Sequence, residues 1–282
     1  MFDRIPLTNP KCFMTILRQQ FLKTAQSFNC LSLAFISSVS SELARLCKIK
    51  NVWCLPKERK VNVEDAMKVL ALVYPGMTLL DMVGPLQAWS FLPGYEVQYV
   101  WHRPGTVVTD CGLGVHATHS FEDAWTDPDV LFVGGGAKPT LDLLSDSVAI
   151  SFLADRGTRA GWVCSVCTGS LVLGAAGLLR GYRAAVHWGA RDILSQFGAE
   201  PSSERVCVDR NRLTGGGVTA GVDFGIAVAG LWAGEGRGRV IELIMEYAPQ
   251  PPYGTGRPEL ADPETLATAR AELQHAMTGA DA

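Results

Sequence analysis

The residues best suited to chemistry lie in one short run, residues 163–170 (VCSVCTGS). An apolar stretch typical of a buried strand leads to Cys167, and small residues typical of a helix start follow it. This is the pattern of a nucleophile elbow, a sharp strand-to-helix turn that presents one side chain above the sheet. The helix start favours a thiolate, the form of cysteine that attacks carbon. Cys167 is therefore a candidate nucleophile, and the alternative is a buried structural cysteine.

Cys164 forms a Cys-x-x-Cys motif with Cys167, a spacing that redox dithiols also use. Residues three apart on a strand project from opposite faces of the sheet, so these two thiols are badly placed for a disulfide. We therefore interpret Cys164 as a core residue. The eight cysteines of the chain show no zinc-binding spacing with histidine, and they favour a reducing compartment over a disulfide-rich secreted fold.

A thiolate needs a partner that moves protons, and two residues qualify by type and position. Asp81 is the single acid in the apolar stretch 73–85 (VYPGMTLLDMVGP) that follows the first predicted strand. His187 follows a predicted strand at residues 183–186 and precedes a predicted helix. Each has an ordinary alternative, since Asp81 could cap the next helix and His187 could bond to its own backbone.

Two glycine triplets follow predicted strands, at Gly134, Gly135 and Gly136 and again at residues 215–217. The amides of the first triplet could bind a developing negative charge beside the thiolate, and the second could approach the same place. The alternative for both is tight turning of the chain. Neither triplet belongs to a dinucleotide-binding or Walker A motif, so the sequence predicts no nucleotide cofactor.

Strands and helices alternate at short spacing after residue 66. The pattern predicts strands at residues 67–74, 95–102, 114–120, 129–133, 161–166 and 183–186, with a hairpin at 205–214. It predicts helices at residues 81–91, 140–156, 169–179, 187–197, 220–233, 239–247 and 263–278. This alternation predicts an α/β fold, a mostly parallel sheet with helices on both faces. Ligands of such sheets bind at the carboxyl ends of the strands.

The chain has 282 residues, 48% of them hydrophobic, and a formal net charge of -3. This composition predicts a globular protein with a large core and gives no reason to expect nucleic acid as a partner. No apolar stretch approaches the roughly 18 residues that a membrane-spanning helix needs.

The first 65 residues differ from the rest. Residues 1–60 hold ten Lys/Arg against three Asp/Glu, and none of the 29 glycines precedes Gly76. We expect residues 1–65 to form a poorly ordered extension, or to be translated from a start codon upstream of the true one. The alternative is a targeting-like segment of mitochondrial type. A short amphipathic helix at 13–23 would suit either interpretation. A single domain follows at 66–257, then a tail with a helix at 258–282. Without targeting, a cytoplasmic location is expected.

Six segments together resemble the ThiJ/PfpI superfamily, the flavodoxin-like relatives of class I glutamine amidotransferases, and within it the isonitrile hydratases. They cover nearly all of residues 67–257. The segments are VYPGMTLLDMVGP (73–85), FVGGGA (132–137), SVCTGSLVLGAAGLLRG (165–181), HWGARDIL (187–194), LTGGGVTAGVDF (213–224) and MEYAPQPPY (245–253).

The resemblance implies a nucleophile at Cys167, supported by Thr168, and a catalytic acid at Asp81, where many members of the superfamily carry Glu. It places His187 near the nucleophile and the first glycine triplet at the substrate. Gly134 stands where the superfamily commonly has Pro, and Ala248 stands where some relatives have Asp. These departures leave the loop geometry and any role of that acid open.

The implied activity is that of a cysteine-dependent hydro-lyase, which adds water to an isonitrile and gives an N-substituted formamide. Cys167 would attack the terminal carbon of the isonitrile, Asp81 would supply the proton to that carbon, and water would then release the product. The resemblance implies a small-molecule substrate, a homodimer, and no metal or organic cofactor.

Two other functions fit the same domain. A glyoxalase-like or deglycase-like enzyme would act on 2-oxoaldehydes with the same Cys167. A non-enzymatic ligand-sensing domain, like those fused to AraC-type regulators, would use the site for binding alone. Fewer than 35 residues follow Pro249 and the tail is acidic, so a DNA-binding helix-turn-helix pair is not expected after this domain.

Overall fold

The central sheet positions the candidate residues. In residues 67–278, the part of the chain that this computed structural model describes, it has six strands in the spatial order β2-β1-β5-β6-β10-β9. The neighbouring pairs are parallel except β10 with β9. The strands are β1 (Met67–Leu72), β2 (Tyr95–Val100), β5 (Val130–Val133), β6 (Trp162–Val166), β9 (Val206–Asp209) and β10 (Arg212–Gly215). This flavodoxin-like arrangement agrees with the predicted fold class.

Four further strands of the described residues lie outside the central sheet. They form an antiparallel pair, β3 (Gly105–Val108) with β4 (Gly114–Ala117), and a parallel pair, β7 (Arg183–Ala185) with β8 (Glu200–Ser202). The α-helices are α1 (Leu79–Trp89), α2 (Ala137–Leu143), α3 (Ser147–Arg159), α4 (Gly169–Ala175), α5 (Arg191–Ser195), α6 (Ala220–Ala233), α7 (Glu235–Ile244) and α8 (Pro263–Thr278). Short 3-10 turns lie at Trp188–Ala190 and Pro258–Leu260.

The core lies on both faces of the sheet. All four residues of β5 are buried, as expected for a parallel strand with helices on each side. Trp89 of α1 makes edge-on contact with Phe132 of β5 at 5.5 Å between ring centroids and packs on Trp232 of α6 at 5.0 Å. Its indole N–H donates to the carbonyl of Gly225 at 3.1 Å, so α1 and α6 are joined by packing and by a buried hydrogen bond.

The strand order explains how distant residues meet. The chain leaves β1 toward β2 on one side and returns to place β5, β6 and β10 on the other, so the order reverses between β1 and β5. Ligands of open parallel sheets bind at this kind of reversal, beyond the carboxyl ends of the strands. The segments after β1, β5 and β6, which carry the candidate Asp81, glycine triplet and Cys167, therefore lie side by side.

Two predicted helices were wrong in detail, and two strands were missed. The helix predicted at 140–156 is two helices, because the Asp146 side chain accepts from the amide of Ala149 at 3.0 Å and starts α3 anew. The helix predicted at 187–197 begins as a 3-10 turn before α5. The strands β3 and β8 were missed, since both are short and β8 contains Pro201.

Other predicted elements agree with the fold, and some predictions concern residues that the structure does not describe. The hairpin at β9 and β10 and the helix at Ala220–Ala233 agree with the sequence analysis, and α8 lies where a final helix was expected. None of the helices described between residues 67 and 278 is long and apolar enough to cross a bilayer. The extension at 1–65 and its helix at 13–23 lie outside the described residues.

Candidate active site

Cys167 occupies a strained turn between β6 and α4. Its φ is +59°, a left-handed conformation that costs a non-glycine residue on the order of 1 kcal/mol or more. Two hydrogen bonds hold it, because its amide N–H lies 3.1 Å from the carbonyl oxygen of Gly215 and 2.8 Å from that of Gly216. A Cβ added at Gly169 would lie 2.3 Å from the carbonyl oxygen of Val133, so only glycine lets α4 start this close to β5. The turn is a nucleophile elbow, as the sequence predicts.

Asp81 lies on α1 beside this thiol and is fully buried. Its Oδ2 accepts a hydrogen bond from the amide of Gly135 at 2.8 Å, while its Oδ1 has no complete hydrogen bond within the described part of the chain. Thr78 holds the N-cap position of α1. Asp81 therefore does not cap its own helix, and the free side of its carboxyl is left for the thiol and a bound molecule.

Burial controls the charge of this pair. It raises the pKa of Asp81 to about 7, although the bond from Gly135 and a polar contact with the Cys167 thiol act in the opposite direction. Burial, together with the negative charge of Asp81, also raises the pKa of the Cys167 thiol well above its ordinary value. The amides of Val218 and Thr168 point at the sulfur and lower its pKa, but by less.

Burial and the neighbouring acid therefore both oppose the resting thiolate that the helix start was expected to favour. The start of α4 contributes the single amide of Thr168, and α4 has only seven residues, so its effect is smaller than the cost of burying a charge. Asp81 thus titrates near neutral pH, beside a thiol whose ionisation is opposed by burial and by this acid.

The first glycine triplet positions side chains. The amide of Gly135 is bonded to Asp81, and the amide of Gly136 donates to Oγ1 of Thr168 at 3.0 Å. A Cβ added at Gly135 would lie 2.4 Å from that Oγ1. Of the three amides of Gly134, Gly135 and Gly136 that were expected to bind an anion, two already donate to side chains. Glycine is needed at Gly135 because the Thr168 side chain lies so close to its backbone.

Two residues of the site carried no signal in the sequence analysis. The hydroxyl of Thr140, on α2, lies 2.9 Å from that of Thr168 and 2.9 Å from that of Tyr74, which follows β1. The Tyr74 hydroxyl also lies 3.0 Å from the carbonyl oxygen of Gly134. All three hydroxyls are buried. Their side chains join three segments that are far apart in the chain.

The His187 ring lies against Gly217, the residue before Val218. It follows β7, which is outside the central sheet, so the expected position at the end of a sheet strand was wrong. Its Nδ1 accepts from the amide of Gly189 at 3.2 Å, which is the local bonding considered as the alternative. A Cβ added at Gly217 would lie 2.5 Å from the His187 ring. Burial and the nearby Arg191 lower the pKa of His187, so the ring is neutral at neutral pH.

Arg205, which the sequence analysis did not single out, clamps the loop at 216–219. Its carbonyl accepts from the amide of Gly216 at 2.9 Å, and its guanidinium donates to Thr219 at 3.1 Å and to Asp223 at 2.6 Å. Tyr247 donates to the same carboxylate at 2.9 Å. The clamp fixes the loop whose Val218 amide points at the Cys167 sulfur.

The other three cysteines of the described residues play no part in this geometry. Cys164 is fully buried in β6 and forms no disulfide, which confirms its interpretation as a core residue. Cys207 is buried on β9, and Cys111 is exposed. Between residues 67 and 278, no group of three or more acidic, histidine or cysteine side chains is arranged to hold a metal ion.

The elbow, the buried acid and the sheet order together define a class of proteins, and comparison with known proteins identifies it. The model of the DJ-1/PfpI family matches residues 67–230, more than half of the chain. The chain belongs to the DJ-1/PfpI family.

Two individual relatives are similar to this chain over most of their own length. The chain is 40% identical to an isonitrile hydratase of Pseudomonas putida over 205 residues, 73% of this chain and 89% of that protein. The crystal structure of a ThiJ/PfpI family protein from Pseudomonas syringae is similar with a TM-score of 0.73 and 38% identity, covering 82% of this chain and 98% of that one.

Two further relatives represent other activities. The chain is 34% identical to a helix-turn-helix transcriptional regulator of Pseudomonas aeruginosa over 181 residues, 61% of this chain and 47% of the regulator. It is 29% identical to a deglycase of Thermococcus kodakarensis over 146 residues, 51% of this chain and 87% of the deglycase. The relatives therefore include both enzymes and regulators.

Proposed function

We propose that this protein hydrates an isonitrile to an N-substituted formamide, with Cys167 as nucleophile and Asp81 as the group that moves the proton. The observation that carries the proposal is the buried carboxyl beside the elbow thiol, with a pKa raised to about 7. A group that titrates near neutral pH can both accept and return a proton during one turnover. Similarity to the isonitrile hydratase of Pseudomonas putida supports the same activity.

The first step joins the thiol to the terminal carbon of the isonitrile. The Asp81 carboxylate takes the proton of Cys167, and the amides of Val218 and Thr168 stabilise the thiolate as it forms. An isonitrile carbon accepts a nucleophile and a proton at the same atom. The thiolate forms the C–S bond, and Asp81 returns the proton to that carbon. The product is a thioimidate on Cys167, and Asp81 is a carboxylate again.

The second step uses water to release the product. Asp81 takes one proton from a water molecule as the water oxygen attacks the thioimidate carbon, and passes this proton to the imidate nitrogen. The C–S bond then breaks and the carbonyl forms, while the remaining hydroxyl proton moves through Asp81 to the sulfur of Cys167. Water has been added across the isonitrile, and the thiol and the carboxylate are restored.

The shape of the site suits this substrate class. Cys167 is only 5% exposed and Asp81 is fully buried, so a reacting group must be narrow to reach both. The terminal N≡C group of an isonitrile is linear and uncharged, and entering an apolar site costs it little solvation. The chain itself supplies the nucleophile and the proton carrier, and the scheme uses no cofactor.

Formamide production from cyclohexyl isocyanide tests the proposal. We expect turnover by the unaltered protein, none by Cys167→Ala, and a loss of roughly 100-fold or more in Asp81→Asn, because general acid–base groups contribute about that much. Cys111→Ser is the matched control, since Cys111 is an exposed cysteine. Full activity in Cys167→Ala would overturn the proposal.

A deglycase-like or glyoxalase-like activity on 2-oxoaldehydes is the second candidate, favoured by the similarity to the deglycase of Thermococcus kodakarensis. It would use the same thiol. Consumption of methylglyoxal that depends on Cys167, with no formamide from the isonitrile, would support it. If neither compound reacts, a ligand-sensing role like that of the related regulators becomes the leading proposal.

We also propose a homodimer, which sedimentation of the purified protein would test.

A further inference from the structure

A row of three buried hydroxyls joins Thr168 of the candidate site to the carbonyl of Gly134. In order, it joins the carbonyl oxygen of Gly134 to Tyr74 (3.0 Å), Tyr74 to Thr140 (2.9 Å) and Thr140 to Thr168 (2.9 Å). The amide of Gly136 donates to the last hydroxyl at 3.0 Å. Tyr74 is 1% exposed, Thr140 is 0% and Thr168 is 4%, so bulk water does not compete for these bonds.

The number of protons fixes the direction of the row. A carbonyl oxygen can only accept, so the bond to Gly134 uses the one hydroxyl proton of Tyr74. Thr140 must then donate to Tyr74, which leaves Thr140 able only to accept from Thr168. Each hydroxyl proton is thereby used once, and each points along the row in the direction from Thr168 to Gly134. A buried polar network in which every member is satisfied is also the favourable arrangement.

This direction determines what Thr168 can offer to a bound molecule. Its proton points toward Thr140, and its Oγ1 already accepts one bond from Gly136, so one lone pair remains for a further donor. A Cβ built at Gly135 would lie 2.4 Å from Oγ1 of Thr168 and 2.9 Å from Oδ2 of Asp81. The hydroxyl and the carboxyl are therefore neighbours across Gly135.

We propose that Tyr74 and Thr140 are positioning residues that keep the Thr168 hydroxyl a hydrogen-bond acceptor for the water that resolves the thioimidate. The inference rests on the proposed function and assigns the row to its second step. One hydrogen of the water bonds to Thr168, and the other passes to the Asp81 carboxylate as the oxygen attacks carbon. The first step needs no water, so the row does not affect it.

Tyr74→Phe removes the hydroxyl at the far end of the row and leaves the ring. Thr140 then loses its acceptor and can turn its proton toward Thr168, whose own proton becomes free to point at the site. We expect hydrolysis of the thioimidate to slow by roughly tenfold, about the value of one hydrogen bond. Addition of the thiol should keep its rate.

Rapid quenching followed by mass spectrometry of the Cys167 peptide measures both steps with cyclohexyl isocyanide. We expect Tyr74→Phe to accumulate an adduct with the mass of the isonitrile, formed at the normal rate and lost slowly. Thr140→Val should behave in the same way, and Thr140→Ser, which keeps the hydroxyl, should not. Tyr99→Phe is the matched control, because it removes a tyrosine hydroxyl on β2, outside the row.

The outcomes separate this inference from the proposed function. If the unaltered protein makes no formamide, both are overturned. If it does, and Tyr74→Phe and Thr140→Val show unchanged adduct decay, only the role of the row is overturned. A parallel fall in both steps, with no rescue in Thr140→Ser, would also overturn it, because that is the effect of a structural role. Where Tyr74→Phe does not fold, the comparison of Thr140→Val with Thr140→Ser decides.

Discussion

The carboxyl of Asp81 and the thiol of Cys167 lie side by side in a buried niche, where the acid opposes ionisation of the thiol. Burial gives Asp81 a pKa of about 7. The two groups are best described as a pair that shares protons, because strongly interacting groups titrate together. Such a pair can deliver a sulfur nucleophile and a proton to the same carbon atom, even when the thiol is not ionised at rest.

The pair predicts a characteristic dependence of activity on pH. The reactive form has a thiol beside a carboxylate, so kcat/KM should rise as pH increases through about 7, where Asp81 loses its proton. It should fall only at much higher pH, because the pKa of Cys167 is raised well above its ordinary value. A profile from pH 5 to 10 with cyclohexyl isocyanide tests this. An activity that falls between pH 6 and 8 would contradict the assignment of Asp81 as the proton acceptor.

The same pKa predicts how stability changes with pH. The folded chain holds a proton on Asp81 up to about pH 7, whereas an unfolded chain releases it near the ordinary value of 3.8. Raising the pH between these values therefore favours unfolding, at about 1.4 kcal/mol for each pKa unit. Asp81→Asn should lose less stability than the unaltered protein between pH 5 and 8, as measured by thermal melting. Asp192 is an exposed acid, and Asp192→Asn should melt at the same temperature as the unaltered protein at pH 5 and at pH 8.

Gly135 should tolerate no side chain. The added Cβ of Gly135→Ala would lie 2.4 Å from Oγ1 of Thr168 and 2.9 Å from Oδ2 of Asp81, so one of these groups must move. A displacement of about 1 Å at a reacting group costs on the order of 100-fold in rate. We expect a loss of that order in kcat, measured as formamide formation. Gly236→Ala on α7, where a Cβ meets nothing within 4 Å, is the matched control. Equal activity in the two variants would contradict the close packing described here.

Arg205 should influence the thiol without touching it. Arg205→Met removes the bonds to Thr219 and Asp223 and loosens the loop that aims the Val218 amide at the sulfur. We expect the alkylation of Cys167 by iodoacetamide to slow by roughly tenfold at a fixed alkaline pH, the effect of one lost hydrogen bond to a charged group.

The measurement should follow the Cys167 peptide by mass, in a Cys111→Ser background so that the exposed thiol does not consume the reagent. Arg239→Met, which breaks an exposed ion pair with Glu235, is the matched control. An unchanged rate in Arg205→Met would show that the clamp does not act on the thiol.

Some of this site could be predicted from the sequence because parallel strands bring their carboxyl ends to one edge. The positions of Asp81 and Cys167 after two predicted strands were sufficient to expect them at the same edge of the sheet. Tyr74 and Thr140 could not be found in this way, since they are 66 residues apart and their hydroxyls meet only through tertiary packing.

The charge state of the thiol also lay beyond the sequence. The pattern around Cys167 indicates a helix start, which favours a thiolate, but it does not indicate how deeply the sulfur is buried or that an acid lies beside it. Similarly, the break between α2 and α3 depends on one side-chain hydrogen bond of Asp146, which periodicity does not reveal. Local patterns predict elements well, whereas the balance between competing interactions requires the folded structure.

The most direct measurement follows the isonitrile carbon itself. Cyclohexyl isocyanide labelled with carbon-13 at the terminal carbon is mixed with the protein in heavy water and followed by NMR. The account predicts a labelled formyl carbon that carries deuterium with the unaltered protein, none with Cys167→Ala, and a rate reduced by roughly 100-fold or more with Asp81→Asn. A formyl carbon that carries hydrogen instead of deuterium would contradict the account. Equal turnover by Cys167→Ala, or no reaction with the unaltered protein, would also contradict it.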